Sequence, residues 1–105
     1  MAALYVLNMS TPTVFGSSKT IYDGERKIVT LDQRRYAIVQ IAPGRHTFTC
    51  DGLPMIPDLT VNAAAGQTYF LEAAMGATFD KELFAQITPE FARKLLPHLK
   101  PQEPD

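Results

Sequence analysis

Short segments rich in β-branched and aromatic residues run through most of this sequence, and turn-forming residues separate them. The clearest boundary is Asp23-Gly24, a dipeptide that favours a tight hairpin turn between two strands. Eight segments have the length and composition of strands, with turns roughly every 6–12 residues. They are 2–8, 19–23, 26–31, 34–41, 45–51, 58–63, 67–75 and 82–88. This spacing predicts a mainly β fold of seven or eight strands, arranged as an antiparallel sandwich or a small barrel.

The pattern changes near the C-terminus, where one short helix is predicted. Thr88 can accept a hydrogen bond as the N-cap, and Pro89 suits the first helical position. The expected helix covers about residues 89–96 and completes a single β domain of residues 1–97. Residues 98–105 are polar and are expected to form a disordered tail.

Size and charge argue against several classes of protein. A chain of 105 residues forms one domain, and 46% hydrophobic residues are enough to bury a core. The net charge is −1, whereas nucleic-acid binders need a basic excess, so no nucleic-acid partner is expected. No run of eighteen apolar residues is present, and no membrane span is expected. Residues 1–8 lack the features of a signal peptide, which predicts a cytoplasmic protein unless a leader has been removed.

His46 and Cys50, the only cysteine of the chain, lie four residues apart in one predicted strand. Alternation of side chains along a strand puts both on the apolar side, together with Phe48. At a rise of about 3.3 Å per residue they are separated by about 13 Å, which is too far to share a proton or a metal ion. We therefore expect Cys50 to be a buried hydrophobic residue, and His46 to lie at the rim of the core near the turn at 42–44.

Other chemical motifs are also weak. Asp80 and Glu82 share one side of a strand, and Asp51 and Asp58 flank a proline-containing loop, but neither pair has calcium-loop spacing. One cysteine and two separated histidines do not form a standard zinc site. The six glycines are isolated, so no phosphate-binding loop is predicted. The sequence predicts no catalytic residue, no metal site and no cofactor, and hence a non-enzymatic protein.

Aromatic residues are the remaining candidates for a functional surface. Exposed tyrosines in a strand can stack on sugars or pack against a protein. The predicted strands contain four tyrosines: Tyr5, Tyr22, Tyr36 and Tyr69. In a sandwich the same residues can also be ordinary core residues. Phe15 lies in an otherwise polar loop, where it can anchor the loop or contact a partner. The set of candidate interaction residues is Phe15, Tyr22, Tyr36, His46 and Tyr69.

Several segments together resemble a bacterial family known as domain of unknown function twenty-eight forty-six. The resemblance rests on Leu4-Tyr5-Val6, on Asp23-Gly24, on Tyr36 with the turn Pro43-Gly44-Arg45-His46, and on residues 65–70, and it covers nearly the whole chain. The turn motifs are also similar to a wider group of envelope-attached domains of the PEGA and prealbumin-like kind. The resemblance implies a β-sandwich of immunoglobulin or prealbumin-like type, in the bacterial periplasm or envelope behind a secretory or lipoprotein leader. It implies no catalytic residues.

Two functions fit these observations best, and an enzyme is the third and weakest candidate, because it needs a concave site with a strongly perturbed ionisable group. The first is a non-enzymatic, envelope-associated interaction domain that contacts a protein partner or a cell-wall component. It requires an exposed apolar patch or an open edge strand. The alternative is a small-ligand or carbohydrate-binding module that uses exposed aromatic residues. It requires at least two such residues side by side, with amide or carboxylate groups around them.

Overall fold

The computed structural model describes residues 1–10, 18–51, 58–75 and 82–104, with only the backbone described at 74, 75, 82 and 83. The structure is mainly β, with two sheets and one short C-terminal helix. Nine strands lie in the described residues, and eight of them match the predicted segments to within one residue at each end. They are β1 (Ala2–Asn8), β2 (Lys19–Asp23), β3 (Arg26–Leu31), β4 (Arg35–Ile41), β5 (Gly44–Asp51), β6 (Leu59–Ala63), β7 (Thr68–Met75), β8 (Glu82–Ile87) and β9 (Lys100–Pro101).

The strands form two sheets. Sheet A has the order β8-β7-β1-β4-β9, and sheet B has the order β3-β2-β5-β6. Every pair in sheet B is antiparallel, and a bulge between Ile21 and Tyr22 interrupts the β2–β3 pairing. The chain crosses from sheet B to sheet A in the turn between β3 and β4. It crosses back to sheet B in the turn between β4 and β5. β4 is therefore connected to sheet B at both of its ends.

Sheet A differs from the predicted antiparallel arrangement. β1 pairs with β4 in the antiparallel direction but with β7 in the parallel direction, and β4 pairs with β9 in the parallel direction. Parallel neighbours need a long crossover connection, and here β2 to β6 lie between β1 and β7 in the sequence. Alternation of side chains within one strand carries no information about the direction of its neighbours. The mixed sheet was therefore not predictable from the strand patterns.

One cluster of buried apolar side chains includes residues from both sheets. In β1, Leu4 and Val6 are fully buried in this cluster, and Tyr5 between them points to the other side of sheet A. From sheet B, Phe48 is the largest fully buried side chain in the described residues. Burial of a Leu or Phe side chain contributes about 1.5–3 kcal/mol. Because the cluster is shared, neither sheet buries its apolar side without the other.

The helix α1 (Pro89–Leu95) begins as the sequence predicts. The Thr88 hydroxyl accepts a hydrogen bond from the Phe91 amide at 3.2 Å, and a proline lies in the first turn. α1 lies against β7 and buries Ala92, and a single 3-10 turn (Leu96–His98) follows it. Within the described residues, no helix is long and apolar enough to cross a membrane.

Residues 98–102 differ from the disordered tail that the sequence predicts over 98–105, and Asp105 lies outside the described residues. Lys100 and Pro101 form β9 beside β4, and the buried side chain of Leu99 precedes them. The backbone amide of Gln102 donates to the carbonyl of Tyr36 at 2.8 Å. The segment is polar, which is typical of a solvated tail, but pairing with an edge strand satisfies polar backbone groups as well as water does.

The side chain of Gln102 joins the two sheets. Its Nε2 donates to the Thr30 carbonyl of β3 at 2.6 Å, and its Oε1 accepts from the Asp32 amide at 3.0 Å. Asn8 at the end of β1 makes a similar link, because its Nδ2 donates to the Leu31 carbonyl at 2.9 Å. Two carboxamides on the sheet A side thus hold the end of β3 and the turn that follows it.

Substitution of Gln102 should weaken this link. Gln102→Ala removes both side-chain hydrogen bonds and is expected to lower the free energy of unfolding by about 1–2 kcal/mol, measured by urea denaturation. Glu103→Ala is the matched control, because the neighbouring Glu103 is exposed, and it should change the value by less than about 0.5 kcal/mol. Equal losses from the two substitutions would contradict the role of Gln102.

Candidate functional site

The five candidate interaction residues do not come together in one site. Phe15 lies outside the described residues. Tyr22 is half-buried on the side of sheet B that faces away from the shared core, and Tyr36 is half-buried on the corresponding outer side of sheet A. Tyr69 packs against the shared core, and its hydroxyl accepts a backbone hydrogen bond at 2.8 Å. His46 lies at one end of the molecule, where the β2–β3 hairpin meets the β4–β5 turn.

Three aromatic rings lie side by side on the outer side of sheet A. The ring of Tyr5 in β1 is stacked with that of Tyr36 in β4, with centroids 6.3 Å apart and planes within 9° of parallel. Tyr5 also contacts Phe70 in β7, with centroids 4.9 Å apart and planes tilted by 40°. Ile38 of β4 lies opposite Tyr5 in the strand register and is 41% exposed. We name these four residues the aromatic face.

The strand register of sheet A explains why these side chains meet. β1 lies between β4 and β7, and Tyr5 pairs with Ile38 on one side and with Phe70 on the other. Each of these residues has a fully buried neighbour in the chain, so alternation directs it outward. The buried neighbours are Leu4, Ala37 and Leu71. Cross-strand pairs of this kind contribute about 0.2–1 kcal/mol each, so the face also stabilises the sheet.

The outer side of sheet B is polar by comparison. Threonine hydroxyls of neighbouring strands face each other there, Thr20 and Thr30 at 3.2 Å and Thr47 and Thr60 at 3.5 Å. Asn62 is exposed between two buried residues of β6. Hydroxyl and amide groups interact well with water, whereas the aromatic face presents apolar carbon to it. The two outer sides therefore differ in their capacity to bind a partner.

A groove of about 310 Å³ adjoins the aromatic face. It is lined by Tyr36 and Ile38 of β4 and by residues 101–104 at the end of the chain. The carboxamide of Gln102 is occupied by its hydrogen bonds to the end of β3 and the turn after it. The Tyr36 hydroxyl and the Glu103 carboxylate are then the polar side-chain groups that the lining offers to a ligand.

His46 has a hydrogen-bonding partner at each ring nitrogen. Nδ1 is 2.7 Å from Oδ2 of Asp23, and Nε2 is 2.6 Å from the carbonyl oxygen of Ala42. The ring also stacks with Phe48, with centroids 5.8 Å apart, and the side chain is 14% exposed. Asp23 ends β2 in sheet B and Ala42 follows β4 in sheet A, so His46 connects the two sheets at this end.

These contacts favour the charged form of His46. The hydrogen bond to the Ala42 carbonyl raises the pKa above its ordinary value of 6.5, burial acts in the opposite direction, and Asp23 raises the pKa through its hydrogen bond and its charge. A cavity of about 170 Å³ lies beside the ring, and its lining includes Asp23, Arg26 and Ile28. Because both nitrogens are engaged, neither is available to take a proton from a substrate in this arrangement.

Cys50 lies in the shared core, as the sequence predicts. Burial raises the pKa of the Cys50 thiol to about 11, against an opposing effect of the Lys19 charge. Burial also raises the pKa of Glu72, which is 7% exposed, above 4.5. Across the ranges that the structure describes, no three His, Cys, Asp or Glu residues are grouped so that they could hold a metal ion.

Sequence reasoning noted Tyr5 as a strand tyrosine but left it out of the candidate set, and it missed Phe70 and Ile38. It also missed Asp23 as the partner of His46. Alternation with buried residues in β1 and β7 does place Tyr5 and Phe70 on the outer side. The missing information is that β1 pairs with β7, which no local signal contains. Asp23 was recognised only as the first residue of a hairpin turn, since its contact with His46 spans 23 residues of sequence.

The chain matches no family model, no curated protein and no solved structure. The resemblance to the bacterial family described above therefore stays a prediction.

Burial should make Cys50 unreactive in the folded protein. With a pKa of about 11, only about one thiol in a thousand is ionised at pH 8, and the thiolate is the reactive form. Alkylation by iodoacetamide, followed by mass spectrometry, should be at least about 100-fold slower than in urea-unfolded protein. Similar rates in the folded and unfolded protein would show that Cys50 is accessible and ionised.

Proposed function

We propose that this chain is a non-enzymatic interaction domain that binds a protein partner through the aromatic face. The observation that supports the proposal is the row of Phe70, Tyr5 and Tyr36 next to the exposed Ile38. Aromatic side chains are enriched where proteins meet, because they bury a large apolar area with few rotatable bonds. Cross-strand contacts already restrain these rings, so binding costs little additional side-chain entropy.

A carbohydrate-binding module is the second candidate, and the groove supports it. There the ring of Tyr36 lies near an amide and a carboxylate, those of Gln102 and Glu103. The Gln102 amide, however, already makes two hydrogen bonds, and Tyr5 has aromatic neighbours on both adjacent strands. Few groups are then free to hydrogen-bond a sugar or to stack on it. These contacts favour a protein partner over a sugar.

The arrangement of the two sheets and the place of the protein in the cell are also part of the proposal. We infer that the two sheets pack face to face as a sandwich of the immunoglobulin or prealbumin-like kind, and the shared core supports this arrangement. A place in the bacterial envelope is proposed on the resemblance alone.

A charge placed on the aromatic face should abolish binding without unfolding the protein. Ile38→Asp puts a carboxylate next to Tyr5 on the apolar surface, and the native side chain is exposed enough for the fold to tolerate the change. Immobilised wild-type and variant protein are compared by quantitative capture from bacterial envelope extracts. We expect a protein that wild type retains and that Ile38→Asp loses by at least about tenfold. Binding of the purified protein is then measured by titration.

The matched control is Asn62→Asp, which adds the same charge to the polar outer side of sheet B. It should retain the partner as wild type does. Loss of the partner in both variants, or in neither, would contradict binding through the aromatic face.

Thermal-shift measurements with soluble peptidoglycan fragments and oligosaccharides separate the two candidate functions. A ligand at a hundred times its dissociation constant adds about 2.7 kcal/mol of stability, which is readily seen as a higher melting temperature. The proposal predicts no shift with any of these sugars. A shift that Tyr36→Ala removes would overturn it in favour of the carbohydrate-binding module.

A further inference from the structure

We propose that His46 is a doubly protonated imidazolium that clamps the β2–β3 hairpin to the β4–β5 turn, and that loss of its proton releases this end of the molecule. The inference is independent of the proposed binding function, because it concerns contacts on other residues than those of the aromatic face. It rests on the two oxygens that the ring nitrogens face, one from Asp23 and one from Ala42.

The two partners determine the protonation state. An ionised carboxylate and a backbone carbonyl can only accept hydrogen bonds. A neutral imidazole has one N–H and one bare nitrogen, so in either tautomer one lone pair would face an oxygen lone pair at 2.6 or 2.7 Å. Only the imidazolium donates from both nitrogens. Both contacts therefore exist together only when His46 carries its proton.

The clamp closes the end of the molecule at which the chain passes from sheet A back to sheet B. Asp23 belongs to the hairpin of sheet B, and Ala42 belongs to the turn after β4. Close to His46, the Gly24 amide donates to the Thr47 carbonyl at 2.9 Å, which fixes the hairpin against β5. The cavity of about 170 Å³ lies between these elements, so release of the clamp also widens access to it.

The charged groups around His46 are few. Asp23 contacts the ring from β2, and Arg26 at the start of β3 and Met1 lie on the wall of the same cavity. Residues 39–42 in this wall, at the end of β4 and in the turn after it, carry no charge. The residues of β6 that pair around His46 are also uncharged. Arg45 is the charged neighbour on β5 itself and is exposed. Asp23 is therefore the group that compensates the imidazolium.

The direction of the pH effect follows from these contacts. The pKa of His46 is raised in the folded protein, first by the bond to Ala42, so folding is favoured when the proton is present. The clamp contributes its full stability below pH 6.5, the ordinary value for histidine, and loses it as the pH rises through the folded pKa. Glu72 also has a raised pKa, and its effect on stability starts at its ordinary value of 4.5. Wild type and the His46 variants share this effect, so the difference between them reports on His46.

Nitrogen NMR of the imidazole rings tests the protonation state directly. At pH 6.5 we expect both ring nitrogens of His46 to show the shifts of protonated nitrogen, with a titration midpoint above 6.5. His98, which is exposed, provides the comparison within the same spectra. A midpoint at or below 6.5, or one bare nitrogen in the folded protein at that pH, would overturn the proposal.

Two matched pairs of variants test the clamp itself. Asp23→Asn should lower the midpoint of His46, whereas Glu25→Gln, which changes an exposed carboxylate in the same hairpin, should leave it unchanged. Between pH 6 and pH 8, His46→Gln should show a clearly smaller fall in unfolding free energy than wild type, whereas His98→Gln should show the same fall as wild type. The range ends at pH 8 because the raised pKa of Cys50 begins to lower stability near its ordinary value of 9.0. The same pH dependence in His46→Gln as in wild type would contradict the clamp. If His46→Gln does not fold, the NMR midpoints of the hairpin variants decide the question.

Discussion

The rest of the structure depends on β1, because this strand lies in the middle of sheet A and pairs with a neighbour on each side. Its inner side chains, Leu4 and Val6, are fully buried in the core that both sheets share. Its outer side chain, Tyr5, is the central ring of the aromatic face. Its last residue, Asn8, donates a hydrogen bond to Leu31 of sheet B. The same strand thus connects the core, the candidate binding surface and the link between the sheets.

The two ends of β4 are joined to sheet B by different chemistry. Near its start, the neutral carboxamides of Asn8 and Gln102 hold the end of β3, and neither group titrates in the physiological range. After its end, the contact passes through His46 and the charge of Asp23. One end is therefore held at any ordinary pH, whereas the other is held only while a proton is bound. A rise in pH that removes the His46 proton would loosen the end of the molecule at His46. The opposite end, held by Asn8 and Gln102, would stay in place.

The sequence contains enough information to locate β1 to β8, because alternation and turn residues are local properties of the chain. It also predicts the buried side of β5, where Phe48 and Cys50 are buried and His46 lies at the rim. Properties that depend on two distant segments were not predictable in this way. The parallel β1–β7 pair, the Asp23–His46 contact and the pairing of the chain end with β4 all belong to that group. The aromatic face needs three strands in one register, which explains why single tyrosines were poor indicators of it.

Photo-crosslinking from the aromatic face tests the proposed function most directly. A photoreactive benzoyl-phenylalanine replaces Ile38 in one version of the protein and Asn62 on the polar side of sheet B in another. The account predicts a discrete protein adduct from position 38 after irradiation of cells, and none from position 62. Equal adducts from both positions, or an adduct from position 62 alone, would show that the aromatic face is not the binding surface.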